Sequence, residues 1–320
     1  MNYGFWGKLD RPFFALAPMV NVTDTVFRQI IIKYGRPDVF FTEFVSCDGL
    51  CSRGRPRLLR DLHFTPQEQP IVAQIFGATP ANYYETAKLI VELGFDGIDI
   101  NMGCPDRGIV RQGAGASLIR HPALAKEIIE ATREGVSNAG RFIPISVKTR
   151  LGFNEDELDT WMAALLSMKL PALTVHGRTK KELSLVPARW DQIGEVVKMA
   201  KGTGTLIIGN GDVMSLAEAH EKVAQTGVDG VMMGRAIFGN PWLFNPNQPH
   251  SLVQTLLAMV DHATLFEETW GRAKNFELMK KYFKAYATGF EGAHELRMRL
   301  MECTNAHDVG REVGQFLKRD

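Results

Sequence analysis

Short apolar runs alternate with longer amphipathic segments over the first two thirds of this 320-residue chain, and this alternation constrains its fold more than any other feature. Eight runs rich in β-branched and other apolar residues predict strands, at 14–18, 39–44, 71–74, 97–101, 145–150, 172–176, 205–209 and 230–234. The segments between them predict helices at 23–34, 80–93, 122–134, 155–168, 190–200 and 215–226. Repeated βα units form a parallel sheet, and eight of them favour a closed (β/α)8 TIM barrel over an open sheet. Two ordinary domains are the alternative.

The last quarter of the chain follows a different pattern, because helices without strands are predicted after Pro241. In the segment 273–289, apolar residues repeat at steps of three and four, as a buried helical face requires; they are Phe276, Met279, Phe283 and Ala287. Thr79 before Pro80 predicts a capped helix start, and Gly94 and Gly227 predict left-handed helix ends. We therefore predict a barrel over 1–245, followed by a small all-helical C-terminal domain over 246–320.

Composition and charge exclude several classes of protein. Apolar residues make up 45% and charged residues 23%, as in ordinary globular proteins, and no run approaches a membrane-spanning length. The N-terminus lacks the features of a signal peptide, so a cytoplasmic protein is expected. The net charge of +1 does not by itself indicate a nucleic-acid binder. Cys47 and Cys51 are spaced to clip a metal, but no second pair follows, and no metal site is predicted.

Distinctive residues follow the predicted strands at their carboxyl ends, where barrels of this kind build their active sites. Two glycine-rich turns, Gly209-Asn210-Gly211-Asp212 and Gly234-Arg235, follow the seventh and eighth strands. Backbone N–H groups in such turns cradle phosphate, so a phosphate-bearing cofactor is predicted; glycines that merely make tight turns are the alternative.

Three further side chains suggest redox and acid–base chemistry at the same rim. Lys148 would place a cation beside the ring of a reduced flavin, and His176 would add a hydrogen bond. Cys104 lies in the turn after the fourth strand, and a thiol with a pKa of about 8.5 stays protonated near neutral pH and can act as an acid. The alternatives are a solvated lysine, a structural histidine and a buried cysteine.

With these residues identified, nearly the whole chain resembles the tRNA-dihydrouridine synthase family. The motifs that carry the resemblance are Ala17-Pro18-Met19 with Thr23-Asp24, Gln74-Ile75-Phe76-Gly77, Asp99-Ile100-Asn101-Met102-Gly103-Cys104-Pro105, the segment 113–118, Lys148-Thr149-Arg150, His176-Gly177-Arg178-Thr179, Asn210-Gly211-Asp212, Gly234-Arg235 and Asn240-Pro241-Trp242. The run around Cys104 is the most specific of these motifs.

The resemblance implies an enzyme that binds FMN, takes electrons from NADPH and reduces the C5–C6 bond of particular uridines in tRNA. A monomer is expected. The residues expected to hold FMN are Pro18, Met19, Val20, Gln74, Lys148, His176, Asn210, Gly211, Asp212, Gly234 and Arg235. Asn101 and Arg178 are expected to face the uracil. The flavin would deliver hydride to C6 of the uracil, and Cys104 would donate a proton to C5.

Two features concern the RNA. After Cys104-Pro105 this chain has Asp106-Arg107-Gly108, where many family members carry a lysine; Arg107 is expected to replace it as a phosphate contact. In the tail, Lys280 and Lys284 share a helical face, and Arg297 and Arg299 follow, which predicts a phosphate-binding patch. An ordinary solvated face is the alternative.

Two rival functions remain open at this point. One is an FMN barrel reductase acting on a free small molecule, of the dihydroorotate dehydrogenase type, which would not need the helical tail. The other is a catalytically silent RNA-binding barrel.

Overall fold

The computed structural model describes residues 2–318, which form two compact units. One unit contains the residues up to Thr23 together with Pro37–Gly234. The other contains Asp24–Arg36 and the residues from Arg235 onward. The helix that follows the first strand thus belongs with the C-terminal helices rather than with the strands.

Nine parallel strands are present in the described part of the chain, and they form one sheet. They are β1 Phe13–Leu16, β2 Phe40–Phe41, β3 Val45–Ser46, β4 Ile71–Phe76, β5 Gly97–Met102, β6 Ile145–Arg150, β7 Ala172–His176, β8 Leu206–Asn210 and β9 Gly230–Met233. Their order is β1-β9-β8-β7-β6-β5-β4-β2, with β3 also paired to β4. A parallel bridge between Ala15 and Val39 closes the ring. The predicted barrel is confirmed.

The second barrel position differs from its prediction as one strand over 39–44, because β2 and β3 occupy it in turn. Phe41 lies opposite Val72, whereas Val45 lies opposite Ile75, so four steps along one chain face three along the other. The extra residue is a β-bulge, which bends a strand locally. The hydroxyl of Thr42 fills the gap by accepting the N–H of Gln74 at 3.1 Å.

The helices confirm the predicted alternation. They are α1 Thr25–Tyr34, α2 Cys47–Leu50, α3 Arg55–Leu58, α4 Pro80–Glu92, α5 Arg107–Arg111, α6 Pro122–Asn138, α7 Ala163–Ser167, α8 Trp190–Ala200, α9 Leu216–Thr226, α10 Leu252–Trp270, α11 Lys280–Tyr286, α12 Ala293–Glu302 and α13 Ala306–Leu317. A π-helical turn, Leu158–Met162, precedes α7. Within residues 2–318, no helix is both long enough and apolar enough to cross a membrane.

The expected helix ends are right at two positions and wrong at one. Gly94 and Gly227 have φ of +90° and +74°, in the left-handed region that favours glycine. The side chain of Thr79 makes no capping bond. Its backbone carbonyl accepts the N–H of Asn82 instead, at 3.0 Å, and Pro80 has no N–H to satisfy.

Apolar side chains fill the half of the barrel that lies toward the amino ends of the strands. Alternate residues of the strands point inward and form a buried cluster that includes Phe13, Phe41 and Ile208. Trp6, from the 3-10 helix Gly4–Lys8, packs on this cluster at the amino ends of the strands, with its ring 5.6 Å from that of Phe13. Because apolar side chains close the barrel at the amino ends of the strands, a polar site can form only at the carboxyl ends.

The second unit consists of α1 and α10–α13. Asp24 caps α1 by accepting the N–H of Phe27, and its other carboxylate oxygen accepts the indole N–H of Trp270 at 2.9 Å. The segment predicted as one helix over 273–289 is a 3-10 turn, Phe276–Met279, followed by α11. Its predicted apolar face is confirmed, since Met279, Phe283 and Ala287 are fully buried, although Phe276 is only half-buried.

Candidate active site at the carboxyl ends of the strands

Strand register brings the predicted residues of β4 to β8 together at one end of the barrel. Gln74 lies opposite Asp99, Asn101 opposite Lys148, Arg150 opposite His176, and His176 opposite Asn210. These positions alternate along their strands with residues of the helix-facing side. Five neighbouring strands therefore each contribute a polar side chain to the same region.

A buried chain of hydrogen bonds begins at Asp99. Its carboxylate accepts the hydroxyl of Ser146 at 2.6 Å and the amide N–H of Gln74 at 2.7 Å. The amide oxygen of Gln74 then accepts from Nδ2 of Asn101 at 3.0 Å. Burial raises the pKa of Asp99 to about 6, although the two donors oppose this shift. Gln74 is fully buried, so any cofactor contact would use its remaining Nε2 hydrogen.

The turn that carries Cys104 is fixed by hydrogen bonds from three directions. Oδ1 of Asn101 accepts the N–H groups of Gly103 and Cys104, at 3.1 and 2.9 Å. Nε of Arg150 donates to the carbonyl of Gly103 at 2.8 Å, and the N–H of Ala116 donates to the carbonyl of Cys104 at 3.0 Å. The half-buried thiol is thus held on a rigid turn at the carboxyl end of β5.

The electrostatics around Cys104 keep its proton in place. Burial is the largest cause of its raised pKa. A hydrogen bond from the backbone of Asp106 lowers this pKa, the charge of the Asp106 carboxylate raises it, and Arg150 and Lys148 lower it. Asp106 itself caps α5 by accepting the N–H groups of Gly108 and Ile109, at 2.8 and 3.1 Å. The carboxylate of Asp106 therefore has a local structural role as the cap of α5. Arg107 begins α5 and is exposed.

Lys148 and Asn210 form a hydrogen-bonded pair at the same end of the barrel. Nζ of Lys148 donates to Oδ1 of Asn210 at 3.1 Å, and Nδ2 of Asn210 donates to the carbonyl of Met232 at 2.8 Å. Burial, followed by the charge of Arg150, lowers the pKa of Lys148 to about 8. The lysine is therefore a cation at neutral pH, and its charge is lost in mildly alkaline solution.

His176, Arg178 and Asp212 form a third group. Arg178 is almost fully buried, and its Nη1 lies 3.1 Å from Nε2 of His176. The guanidinium also pairs with Asp212, and its Nε donates to the carbonyl of Val186. Burial, and then the nearby cations, place the pKa of His176 well below its usual range. That Arg178 contacts the substrate base stays a prediction; in this structure its donors serve protein acceptors.

A glycine follows each of β8 and β9, and neighbouring side chains lie close to both glycines. Gly211 has φ of +131°, and an added Cβ would lie 2.7 Å from Cβ of Ala188, so only glycine fits. At Gly234, an added Cβ would lie 3.4 Å from Cβ of Ala17 and 3.7 Å from Sδ of Met19. Only at Gly211 would an added side chain clash, since the distances at Gly234 are those of ordinary van der Waals contact. The glycine turns, together with the amide, lysine and histidine donors, suit a flavin that carries phosphate.

The other predicted cofactor residues follow β1 and β9 in the chain. Pro18 and Met19 are half-buried after β1, and Val20 is 45% exposed. The N–H of Met19 donates to the hydroxyl of Thr23 at 2.9 Å, which fixes this turn. Arg235 begins a 3-10 helix, Arg235–Ile237, in the second unit.

The predicted basic patch of the second unit is mostly engaged in local contacts. Lys280 pairs with Glu277 at 2.8 Å, Arg297 donates to the carbonyl of Ala287, and Arg299 lies 3.6 Å from Glu312. Lys284 is exposed. The patch therefore stays a prediction, and Lys284 is its most accessible member.

Two residues of the site received no role from the sequence: Asp99 and Arg150. Arg150 is buried, and its Nη1 donates to the carbonyls of Thr179 and Leu183, at 3.0 and 3.1 Å. Burial lowers its pKa to about 10. A signal was present, because Ser146, Lys148 and Arg150 alternate along one strand and must share a face.

The cysteine pair gives no sign of a metal site. Cys47 is buried in α2 and Cys51 is exposed just after it. Within residues 2–318, no three His, Cys, Asp or Glu side chains are grouped as metal ligands.

Comparison with solved structures supports the architecture. Morphinone reductase is 12% identical, with a TM-score of 0.53 over 74% of this chain and 86% of the other. A 2-naphthoyl-CoA reductase is also 12% identical, with a TM-score of 0.56 over 72% of this chain and 49% of the other. At this identity the likeness concerns the fold alone.

Comparison of sequences identifies the family. The "Probable tRNA-dihydrouridine synthase 2" of Bacillus subtilis (strain 168) is 39% identical, over 100% of this chain and 98% of the relative. The "Probable tRNA-dihydrouridine synthase" of Staphylococcus aureus (strain MRSA252) is 40% identical, over 99% of this chain and 96% of the relative. The family model described as dihydrouridine synthase (Dus) matches residues 15–319. The chain belongs to the dihydrouridine synthase family.

Proposed function

We propose that this protein reduces the C5–C6 double bond of uridines in tRNA to give 5,6-dihydrouridine, with bound FMN as its cofactor and NADPH as the electron donor. Family membership and the names of the full-length relatives support this reaction. The observation that carries the proposal is the half-buried thiol of Cys104, whose pKa is raised by burial and which is fixed at the carboxyl end of β5 beside Lys148 and Arg150.

The cofactor would be held by the polar side chains and the glycine turns of the same rim. Lys148, His176, Gln74 and Asn210 supply hydrogen-bond donors, and the turns at Gly211 and Gly234 offer backbone N–H groups for the phosphate. The turn 18–20, Asp212 and Arg235 complete the proposed set. Bound FMN would supply the hydride that is added to C6 of the uracil ring.

The chain itself would supply the proton. As negative charge develops on the uracil, the thiol of Cys104 transfers its proton to C5 and becomes a thiolate. Burial disfavours that thiolate, so the proton stays on sulfur until negative charge develops on the uracil ring. Lys148 and Arg150, which lower the pKa of Cys104, then stabilise the thiolate until solvent reprotonates it.

The substrate must present its base outside a stacked helix, since a paired or stacked uridine cannot reach the thiol. Asn101 retains one Nδ2 hydrogen for a uracil oxygen after its bond to Gln74. We propose phosphate contacts for the exposed residues Arg107 and Lys284, with Lys280 beside the latter.

The test uses the full chain loaded with FMN. The flavin is reduced anaerobically with NADPH and then mixed with an unmodified tRNA transcript or with free uridine. We expect fast reoxidation and a gain of two hydrogens in the tRNA, and little reaction with uridine. Equal reaction with both substrates would favour a small-molecule reductase, and failure to retain FMN would contradict the proposal.

A further inference from the structure

Five exposed apolar side chains of the first unit follow strands at their carboxyl ends. The loop after β7 contributes Leu183, Leu185 and Val186, which are 42%, 82% and 37% exposed. Val20 after β1 and Met214 after β8 are also exposed. We call residues 183–187, which end in the exposed Pro187, the apolar loop.

The backbone of the apolar loop is fixed by the arginines of the candidate active site. Nη1 of Arg150 donates to the carbonyl of Leu183 at 3.1 Å, and Nε of Arg178 donates to the carbonyl of Val186. The same two arginines hold the turn of Cys104 and contact His176. The apolar loop is therefore held in a defined position relative to the reacting groups.

An ion-pair network secures the base of the apolar loop. Arg189 pairs with Glu182 and with Asp156, each at 2.5 Å, and the hydrogen bond from Arg189 is the main cause that lowers the pKa of Glu182 to about 2. Leu183 itself has φ of +55°, a conformation that costs free energy for a leucine. The apolar loop is strained and anchored, yet its exposed apolar side chains contribute little to the core. Contiguous exposed apolar surfaces of this kind usually mark interaction sites.

We infer that the apolar loop packs against an unstacked nucleobase of the RNA beside the extruded uridine, with Leu185 as its main contact; this inference rests on the proposed function. Extruding a base leaves apolar base faces uncovered, and leucine, isoleucine, methionine and proline side chains are the wedges that proteins insert at such steps. Lys180 and Lys181 precede the loop, and Lys181 is exposed, so positive charge for the flanking phosphates lies alongside.

The experiment compares Leu185→Ala with Phe142→Ala in the FMN-loaded full chain. Phe142 is 52% exposed and precedes β6, at the opposite end of the strands. We expect Leu185→Ala to raise Kd and KM for an unmodified tRNA transcript about 5- to 10-fold, as for loss of part of a buried leucine. FMN content and the reaction with NADPH should not change, and Phe142→Ala should behave like the wild type.

Salt dependence separates stacking from charge. Leu185→Ala should leave the slope of log Kd against log salt unchanged, whereas Lys181→Ala should reduce it by about one. Wild-type Kd and KM in Leu185→Ala, or loss of FMN from that variant, would overturn the inference. If the wild-type chain itself does not reduce tRNA, the proposed function fails instead, so the two failures are distinguishable.

Discussion

The guanidinium of Arg178 and the imidazole of His176 form a directed pair, with Nη1 3.1 Å from Nε2. Arginine only donates hydrogen bonds, so Nε2 of His176 must accept and the ring proton must lie on Nδ1. The pairing of Arg178 with Asp212 holds the guanidinium in this orientation. Arg178 is therefore a positioning residue that selects one neutral tautomer of His176, which can donate a hydrogen bond from Nδ1.

Replacing Arg178 with Gln removes one of the cations that lower the pKa of His176. We expect this pKa to rise, so that His176 becomes protonated at a higher pH than in the wild type. The acidic limb of the kcat/KM profile should move to higher pH, and NMR titration of the His176 ring gives the same shift directly. Arg178→Lys, which restores the cation, should reverse most of the shift. Identical titration in the wild type and Arg178→Gln would contradict the pairing.

Replacing Cys104 with Ala should leave the protein folded and yellow, because the turn is held by backbone groups of Gly103 and Cys104 rather than by the thiol. Reoxidation by tRNA should slow by about two orders of magnitude or more, the usual contribution of a positioned acid. Stopped-flow measurement of the reduced flavin checks this. Cys51→Ala removes an exposed thiol as the matched control. Unchanged single-turnover reoxidation would exclude Cys104 as the acid.

The sequence predicted the barrel because the signal is repeated eight times, and each strand is a compact apolar run with a helix after it. It did not predict the split between β2 and β3, since one extra residue in a run of apolar side chains leaves no trace in the pattern. Nor did it predict that Thr79 lacks a capping bond. That outcome depends on a side-chain rotamer, and capping residues express only a preference.

The site was predictable in its location but not in its internal connections. Residues at the ends of parallel strands must converge, so Gln74, Lys148 and His176 could be grouped from the strand pattern alone. The hydrogen bonds of Arg150 to the carbonyls of Gly103 and Leu183 join segments far apart in sequence. No local pattern encodes such contacts.

FMN binding should depend on the charge of Lys148. Burial lowers the pKa of this lysine to about 8, so it is charged below that pH and neutral above it. The apoprotein should therefore bind FMN most tightly below pH 8, and affinity should fall as the pH rises through this value. Fluorescence titration with FMN measures it. Lys148→Gln should bind more weakly and lose the pH dependence; a retained pH dependence in that variant would assign the effect to another group.

The helical unit should contribute to tRNA affinity through Lys284 and Lys280. The double variant Lys280→Glu/Lys284→Glu should weaken tRNA binding about tenfold or more and lower the salt slope, because phosphate contacts are lost. Filter binding at several salt concentrations checks this, with FMN content as an internal reference. Lys198→Glu, on the exposed side of α8, is the matched control. Equal losses in both variants would indicate a general charge effect rather than a defined patch.

The stability of the helical unit should fall in acid because of His262. This ring is fully buried against Phe27 and Tyr282, with centroids at 5.3 and 4.4 Å, and neither ring nitrogen has a hydrogen-bond partner among the described residues. Burial lowers its pKa from 6.5 to about 4. Between these values the unfolded chain binds the proton and the folded chain does not, so unfolding becomes easier as the pH falls.

The expected loss between pH 6.5 and 4 is on the order of 3 kcal/mol. Urea unfolding at pH 7 and pH 5, followed by circular dichroism, should show the difference in the wild type. His262→Phe keeps a ring in the aromatic cluster and removes the titrating group, so its stability should change much less between the two pH values. His294→Ala, at an exposed histidine of α12, should retain the wild-type response. If His262→Phe lost as much stability in acid as the wild type, other groups would be responsible, and the imidazole of His262 would have to be protonated in the folded chain at nearly the same pH as in the unfolded chain.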